Sequence, residues 1–75
     1  MFTVRLRLAN QIRDYIIGDV GSFGWEVRLE EDRAVRRLDW YQDWHRVERA
    51  LALFEREVTE LTARGWQVTQ PDVSR

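Results

Sequence analysis

The sequence contains no cysteine and no lysine, and it has a single proline and a single histidine. Without cysteine the chain cannot form disulfides, thiolate metal sites, iron–sulfur clusters or a cysteine nucleophile. One histidine without a cysteine or a second histidine also makes a poor transition-metal site. We therefore expect a protein that holds no metal ion and no cofactor, and nothing in the composition points to an oxidising compartment.

Long apolar runs are also missing. The first ten residues, MFTVRLRLAN, alternate between apolar and polar side chains and resemble neither a signal peptide nor a membrane anchor. We expect a cytoplasmic protein that does not bind membranes.

Neither sign of charge dominates, because 12 basic residues face 13 acidic ones and the formal net charge is −1. This balance provides no overall attraction to nucleic acid or to an anionic membrane. Every basic residue is arginine. Two explanations stay open: a GC-rich coding sequence of bacterial or phage type, or the use of arginine for bidentate contacts.

The apolar content is high enough for a folded domain. Hydrophobic residues make up 44% of the chain, and four of its 75 residues are tryptophan, which argues against intrinsic disorder. We expect one compact domain over residues 1–66. Residues 67–75 are interpreted as a tail that either adds a short edge strand before it becomes disordered or stays loose throughout.

Alternation with a period of two residues predicts strands in the first half. FTVRLRL and WEVRLEE alternate most cleanly, and the glycine-rich stretch GDVGSFG between residues 18 and 24 predicts a loop. The phase of the last strand stays open, because Val35 and Leu38 cannot both point inward without a bulge. The predicted strands cover about residues 2–8, 12–17, 25–30 and 35–40.

The second half has a helical period. One apolar stripe is formed by Val47, Leu51, Phe54, Val58 and Leu61. Asp43 fits the N-cap position, and Gly65 fits the position after the helix end, where Trp66 can fold back onto Leu61. The helix is predicted over about residues 44–64. The fold class is therefore α+β: a three- to four-stranded antiparallel β-meander packed against one long C-terminal α-helix.

The stretch DWYQDWH, residues 39–45, concentrates three aromatic rings and the histidine. We interpret it as the corner between the last strand and the helix. Trp40 is expected in the core face of the sheet and Trp44 at the start of the helical stripe, with the Tyr41 hydroxyl in solvent. His45 is expected at the surface or as a capping residue. The stretch would form a site only if Tyr41 and His45 shared a cleft.

No motif for catalysis emerges. The loop GDVGSFG lacks the GK[ST] ending of a phosphate-binding loop and precedes a strand, so no helix N-terminus follows it. The acidic run at residues 30–32 lacks the spaced ligands of a calcium loop. No serine or threonine lies in a nucleophile motif. We therefore predict no catalytic, cofactor-binding or metal-binding residues and a protein that is not an enzyme.

A binding role is what these exclusions leave. The favoured hypothesis is a small non-catalytic interaction domain that acts through protein–protein contacts or as a homodimer, with an unknown protein partner as the other option. Small domains that pair typically have edge strands, an open sheet face and extra apolar positions on a helix. Leu53, beside the helical stripe, is such a position.

The alternative hypothesis is nucleic-acid binding on the open sheet face, where exposed aromatic rings and arginines can contact single strands. Glu26, Glu30 and Asp39 are expected on that same face, and their pairing with arginines disfavours this alternative. The candidate residues are Arg5, Arg7, Arg28, Arg36, Arg37 and Tyr41.

One family resemblance concerns the helix alone. YQDWHRVERALALFEREVTELTARGWQV is similar to the closing helix of WGR domains, in which strands lead into a helix that ends in glycine plus an aromatic residue. WGR domains bind DNA in DNA-repair proteins. The Trp-Gly-Arg that names the family is absent, since the preceding strand reads VRRLDW, so the DNA-binding function is not transferred to this chain.

Overall fold

One antiparallel sheet and one long helix make up the computed structural model, which describes residues 2–72. The predicted α+β class, a meander followed by a helix, is confirmed. The predicted number of strands is wrong, since the sheet has five strands in the order β4-β3-β2-β1-β5. The elements are β1 (Phe2–Leu8), β2 (Gln11–Asp19), a 3-10 turn (Gly21–Phe23), β3 (Trp25–Glu31), β4 (Ala34–Tyr41), α1 (Trp44–Ala63) and β5 (Gln67–Gln70).

The fifth strand lies at the edge beside β1. Leu6 pairs with Val68 and Arg7 with Gln67, so the polypeptide after the helix returns to the first strand. All four residues of β5 are exposed, and their burial shows no alternation. Periodicity therefore cannot decide whether residues 67–75 contain a strand, and the short edge strand is one of two options for them. The last three residues of that tail, 73–75, lie outside the described part of the chain.

The core lies between α1 and the face of the sheet that the helix covers. The ring of Tyr15 on β2 meets the ring of Phe54 edge-on, with 4.9 Å between the ring centroids. Trp25 on β3 contacts Trp44 at the helix start, with 5.1 Å between the centroids. The fully or almost fully buried apolar residues are Phe2, Val4, Leu6, Tyr15, Ile17, Val27, Val47, Ala50, Phe54, Leu61 and Trp66.

Both helix ends form as predicted. Asp43 is the N-cap, and its carboxylate accepts a hydrogen bond from the His45 N–H at 3.0 Å. At the other end Gly65 has a φ of 101°, and the Trp66 N–H donates to the Leu61 carbonyl at 3.0 Å. Leu61 and Trp66 both belong to the buried core, which is the apolar contact that accompanies this type of helix end.

The orientation of β4 corrects the expectation for the aromatic corner. Trp40 does not enter the core and is 60% exposed, whereas Tyr41 lies half-buried against the core. The pairing shifts by one residue between Leu29 and Glu30, which marks a bulge in β4. Because of this bulge, Val35 and Leu38 both point to the open face of the sheet, on the side away from the helix. The core position predicted for Trp40 is wrong.

Candidate interaction surface

Strand β4 is an edge of the sheet. Its register with β3 pairs Val27 with Asp39 and Arg28 with Leu38. Residues directly opposite each other in antiparallel strands point to the same face. Since Val27 is buried under the helix, Asp39 lies on the helix side, and Leu38 lies on the open side with Arg28. Within residues 2–72 no strand pairs with the outer edge of β4.

Large apolar side chains collect along this edge. Trp40 is 60% exposed and Phe23, in the loop before β3, is 74% exposed, and the two line one surface hollow. Val35 and Leu38 on β4 are about half exposed. We refer to these four residues, Phe23, Val35, Leu38 and Trp40, as the β4 patch. Contiguous exposed apolar surface of this kind marks interaction sites more often than single exposed residues do.

A tight turn holds Phe23 beside the end of β4. The Asp19 carboxylate accepts from the Gly21 N–H at 2.7 Å, and the Val20 N–H donates to the Gly24 carbonyl at 2.9 Å. Gly24 has a φ of 95°, and a Cβ there would collide with the carbonyl oxygen of Tyr41. Only glycine provides both the left-handed conformation and this close approach, so Gly24 positions Phe23 against β4.

Charges on the open face next to the patch neutralise one another. The Arg5 Nε donates to the carboxylate of the buried Asp14 at 2.7 Å. Asp14 raises the pKa of Arg5, chiefly through this hydrogen bond. The Arg28 guanidinium lies between Glu26 at 2.7 Å and Glu30 at 3.2 Å. This face therefore presents compensated ion pairs and little net positive charge.

The helix side of β4 has a different character. Arg37 Nε donates to Asp39 Oδ2 at 2.7 Å, and its Nη2 donates to the Tyr41 hydroxyl at 3.3 Å. The hydrogen bond to Asp39 is the main cause that raises the pKa of Arg37. A groove between β4 and α1 runs along these residues. Its lining consists of Arg37, Tyr41, Arg46, Arg49, Ala50 and Leu53.

The six nucleic-acid candidates do not share one surface. Arg5, Arg7 and Arg28 lie on the open face, as expected. Arg37 and Tyr41 lie on the helix side, because the bulge in β4 reverses the expected phase, so their predicted placement on the open face is wrong. Arg36 lies at the bulge, 3.7 Å from a carboxylate oxygen of Glu31.

His45 and Tyr41 do not form a site together. The His45 side chain is exposed on the first turn of α1, and its Nδ1 lies 3.6 Å from a carboxylate oxygen of Glu48. Tyr41 instead packs its ring against the core and lines the groove beside Arg49. Of the three aromatic residues in the stretch 39–45, Trp40 is the most exposed.

The β4 patch does not follow from the sequence pattern. Periodicity places Phe23 in a loop and Trp40 in the core. One signal is nevertheless present: Val35, Leu38 and Trp40 cannot all share a strand face without a bulge, and bulges are common at sheet edges. That conflict of phase could have marked β4 as an edge strand.

Comparison of the chain with protein-family models, with curated proteins and with solved structures finds no match. Among residues 2–72, no helix has the length and apolar character that crossing a bilayer requires.

Proposed function

We propose that this chain is a small non-catalytic interaction domain that associates with a second copy of itself through the β4 patch. The observation that carries the proposal is the combination of an unpaired eight-residue edge strand with exposed apolar side chains on it. An exposed edge strand with large apolar side chains can pair with another strand, and the bulge in β4 confines such pairing to the regular residues after it, 37–41.

The composition of the patch supports an interface. Tryptophan and other aromatic residues are enriched among the side chains that dominate binding energy, and Trp40 and Phe23 are the two most exposed large apolar residues in the described chain. Burial of apolar surface contributes roughly 25 cal/mol per Å², so covering these rings is a substantial driving force. Paired charges at Glu26, Arg28 and Glu30 border the patch and resemble the polar rim of an interface.

Nucleic-acid binding is the less favoured alternative. Arg5 and Arg28 on the open face are bound by carboxylates, and a phosphate would have to compete with Asp14, Glu26 and Glu30 for them. The net charge of −1 also provides no overall electrostatic attraction to a phosphate backbone.

Sedimentation velocity over a wide range of protein concentration tests the proposal. We expect the wild-type chain to shift from monomer to dimer, and Leu38→Asp to remain monomeric at concentrations where the wild type is dimeric. Leu8→Asp is the matched control, since Leu8 and Leu38 are 38% and 41% exposed but only Leu38 lies in the patch. We expect Leu8→Asp to associate like the wild type.

Two results would contradict the proposal. A wild-type chain that stays monomeric throughout would exclude self-association. Salt-sensitive binding of single-stranded DNA or RNA in fluorescence anisotropy, lost in Arg5→Ala and Arg28→Ala, would favour the nucleic-acid alternative instead.

A further inference from the structure

We infer that the second copy adds its own β4 antiparallel to β4, with a twofold axis through Leu38. This inference rests on the proposed function, because it specifies how the two copies meet. The two sheets then form one continuous sheet, and both α1 helices lie on the same side of it. An isologous contact of this type closes on itself, since each copy uses the same strand.

Face matching limits the position of the axis. Directly opposite residues in antiparallel strands point to the same face, so the twofold axis must pass through a residue and not between two residues. The first three residues of β4 after its bulge are Arg37, Leu38 and Asp39, and they include the middle of the eight-residue strand. These three define the three registers that keep the middle of both strands paired.

Charge decides among these registers. An axis through Arg37 places two guanidinium groups directly opposite each other, and an axis through Asp39 places two carboxylates opposite each other. Like charges in directly opposite positions destabilise strand pairing. An axis through Leu38 instead pairs Arg37 with the partner's Asp39, and Asp39 with the partner's Arg37.

The open face is also complementary in the Leu38 register. Leu38 meets the partner's Leu38 on the axis, and this side chain is about half exposed in the single chain. The exposed Trp40 lies on the same face two residues further along, so each copy brings an indole ring near the centre of the joined open face. Apolar contact between the two Leu38 side chains is therefore flanked by the two Trp40 rings.

The groove on the helix side accepts the partner's carboxylate. Arg46 and Arg49 line this groove together with Arg37, whereas Asp39 is the carboxylate that binds Arg37 there. In the Leu38 register, the partner's Asp39 approaches the same groove. It adds negative charge to a groove that Arg46 and Arg49 also line, which favours a second copy over a basic partner.

Cysteine cross-linking tests the register, because the chain has no cysteine of its own. Three variants, Leu38→Cys, Arg37→Cys and Asp39→Cys, are incubated with oxidised glutathione, which takes up the two electrons and two protons released when two thiols join. Only a cysteine on the twofold axis meets its own copy within the distance that a disulfide needs. We expect rapid covalent dimer from Leu38→Cys and little from the other two. Circular dichroism checks that each variant is folded.

The outcomes separate the register from the proposed function. Covalent dimer from Arg37→Cys or Asp39→Cys in place of Leu38→Cys overturns the Leu38 register but keeps self-association. A wild-type dimer in sedimentation without cross-linking of any variant overturns β4 pairing. A wild-type monomer at every concentration overturns both the register and the proposed function.

Discussion

Arg37 donates a 2.7 Å hydrogen bond to Asp39, two residues further along the same edge strand, and this pair lies beside the groove between β4 and the helix. Pairing of two copies through β4 would join each of these charges to its opposite in the partner. Arg37→Asp and Asp39→Arg each replace these contacts by like charges. We expect each to raise the dissociation constant of the dimer at least about tenfold, measured by sedimentation velocity.

Mixing those two variants distinguishes contacts between chains from contacts within a chain. Each variant keeps two like charges within its own strand, but the mixed pair places opposite charges across the contact. We expect the equimolar mixture to associate more tightly than either variant alone. Arg56→Asp, on the exposed side of the helix, is the control for the charge change and should leave association unaltered. No gain on mixing would argue that the intrachain pair alone matters.

The core predicts a large difference between two neighbouring helix residues. Phe54 is 1% exposed and its ring contacts Tyr15, whereas Leu53 is 40% exposed. We expect Phe54→Ala to lower the free energy of unfolding by about 3–5 kcal/mol and Leu53→Ala by less than about 1 kcal/mol. Urea unfolding followed by far-ultraviolet circular dichroism measures both. Equal effects would contradict the assignment of Phe54 to the core.

The turn between β3 and β4 offers a stabilising substitution. Asp32 and Arg33 have φ angles of 51° and 68°, and a left-handed conformation is unfavourable for arginine. We expect Arg33→Gly to raise the free energy of unfolding by about 0.5–1 kcal/mol, measured by urea unfolding. Asp32→Gly is the control, because it also relieves the backbone but loses the hydrogen bond from the Ile12 N–H to the Asp32 carboxylate. It should give no net gain.

The two glycines with the largest φ angles should respond differently to alanine. At Gly65, after the helix, a Cβ would enter open space, so Gly65→Ala costs only the left-handed backbone, about 1–2 kcal/mol. Gly24→Ala adds a collision with the Tyr41 carbonyl and should cost more. It should also displace Phe23 and weaken association. Thermal unfolding compares the stabilities, and a smaller loss for Gly24→Ala would contradict the close approach.

Stability should fall at alkaline pH through Tyr15. Burial is the main cause that raises the pKa of the Tyr15 hydroxyl above its ordinary value of 10.0. Below pH 10 the hydroxyl is protonated in both states, so its contribution is fully present. Above it the unfolded chain ionises first, and stability falls until the folded pKa is passed, by at most about 1.4 kcal/mol per pH unit.

The control for this pH dependence is Tyr15→Phe. We expect its free energy of unfolding in urea to decline less between about pH 9 and pH 11 than that of the wild type. The two slopes should differ by at most about 1.4 kcal/mol per pH unit, the value for the release of one proton. Identical pH profiles for the two chains would show that Tyr15 does not ionise differently in the folded state.

Periodicity predicted the parts of the fold in which one face is covered. Strand β1 alternates between buried and exposed residues, and the helical stripe around Val47 and Phe54 lies against the sheet. The caps at Asp43 and Gly65 are local features and could be recognised directly. In each case a single rule of residue spacing or backbone geometry determines where the strand or helix lies or where the helix ends.

Periodicity left two features of the sheet undecided for physical reasons: whether β5 forms, and which face the side chains of β4 occupy. Strand β5 is exposed on all four residues, and its position depends on the free edge of β1 and not on its own pattern. Strand β4 has a bulge, so one inserted residue moves Leu38 and Trp40 to the open face. Sequence periodicity treats an apolar ring as core, but Trp40 lies on the face of the sheet opposite the helix and is 60% exposed there. Periodicity missed the candidate interaction surface for the same reason.

The two edges of the sheet differ, and this difference bears on how far the proposed association could proceed. Strand β5, the edge opposite β4, has four exposed residues, two of them glutamine, and Val68 is its only large apolar side chain. Twofold pairing uses β4 of both copies and leaves only these short, polar edges at the ends of the joined sheet. Short polar edges recruit further strands poorly. Under the proposed pairing, assembly would therefore stop at two chains and would not continue into fibres.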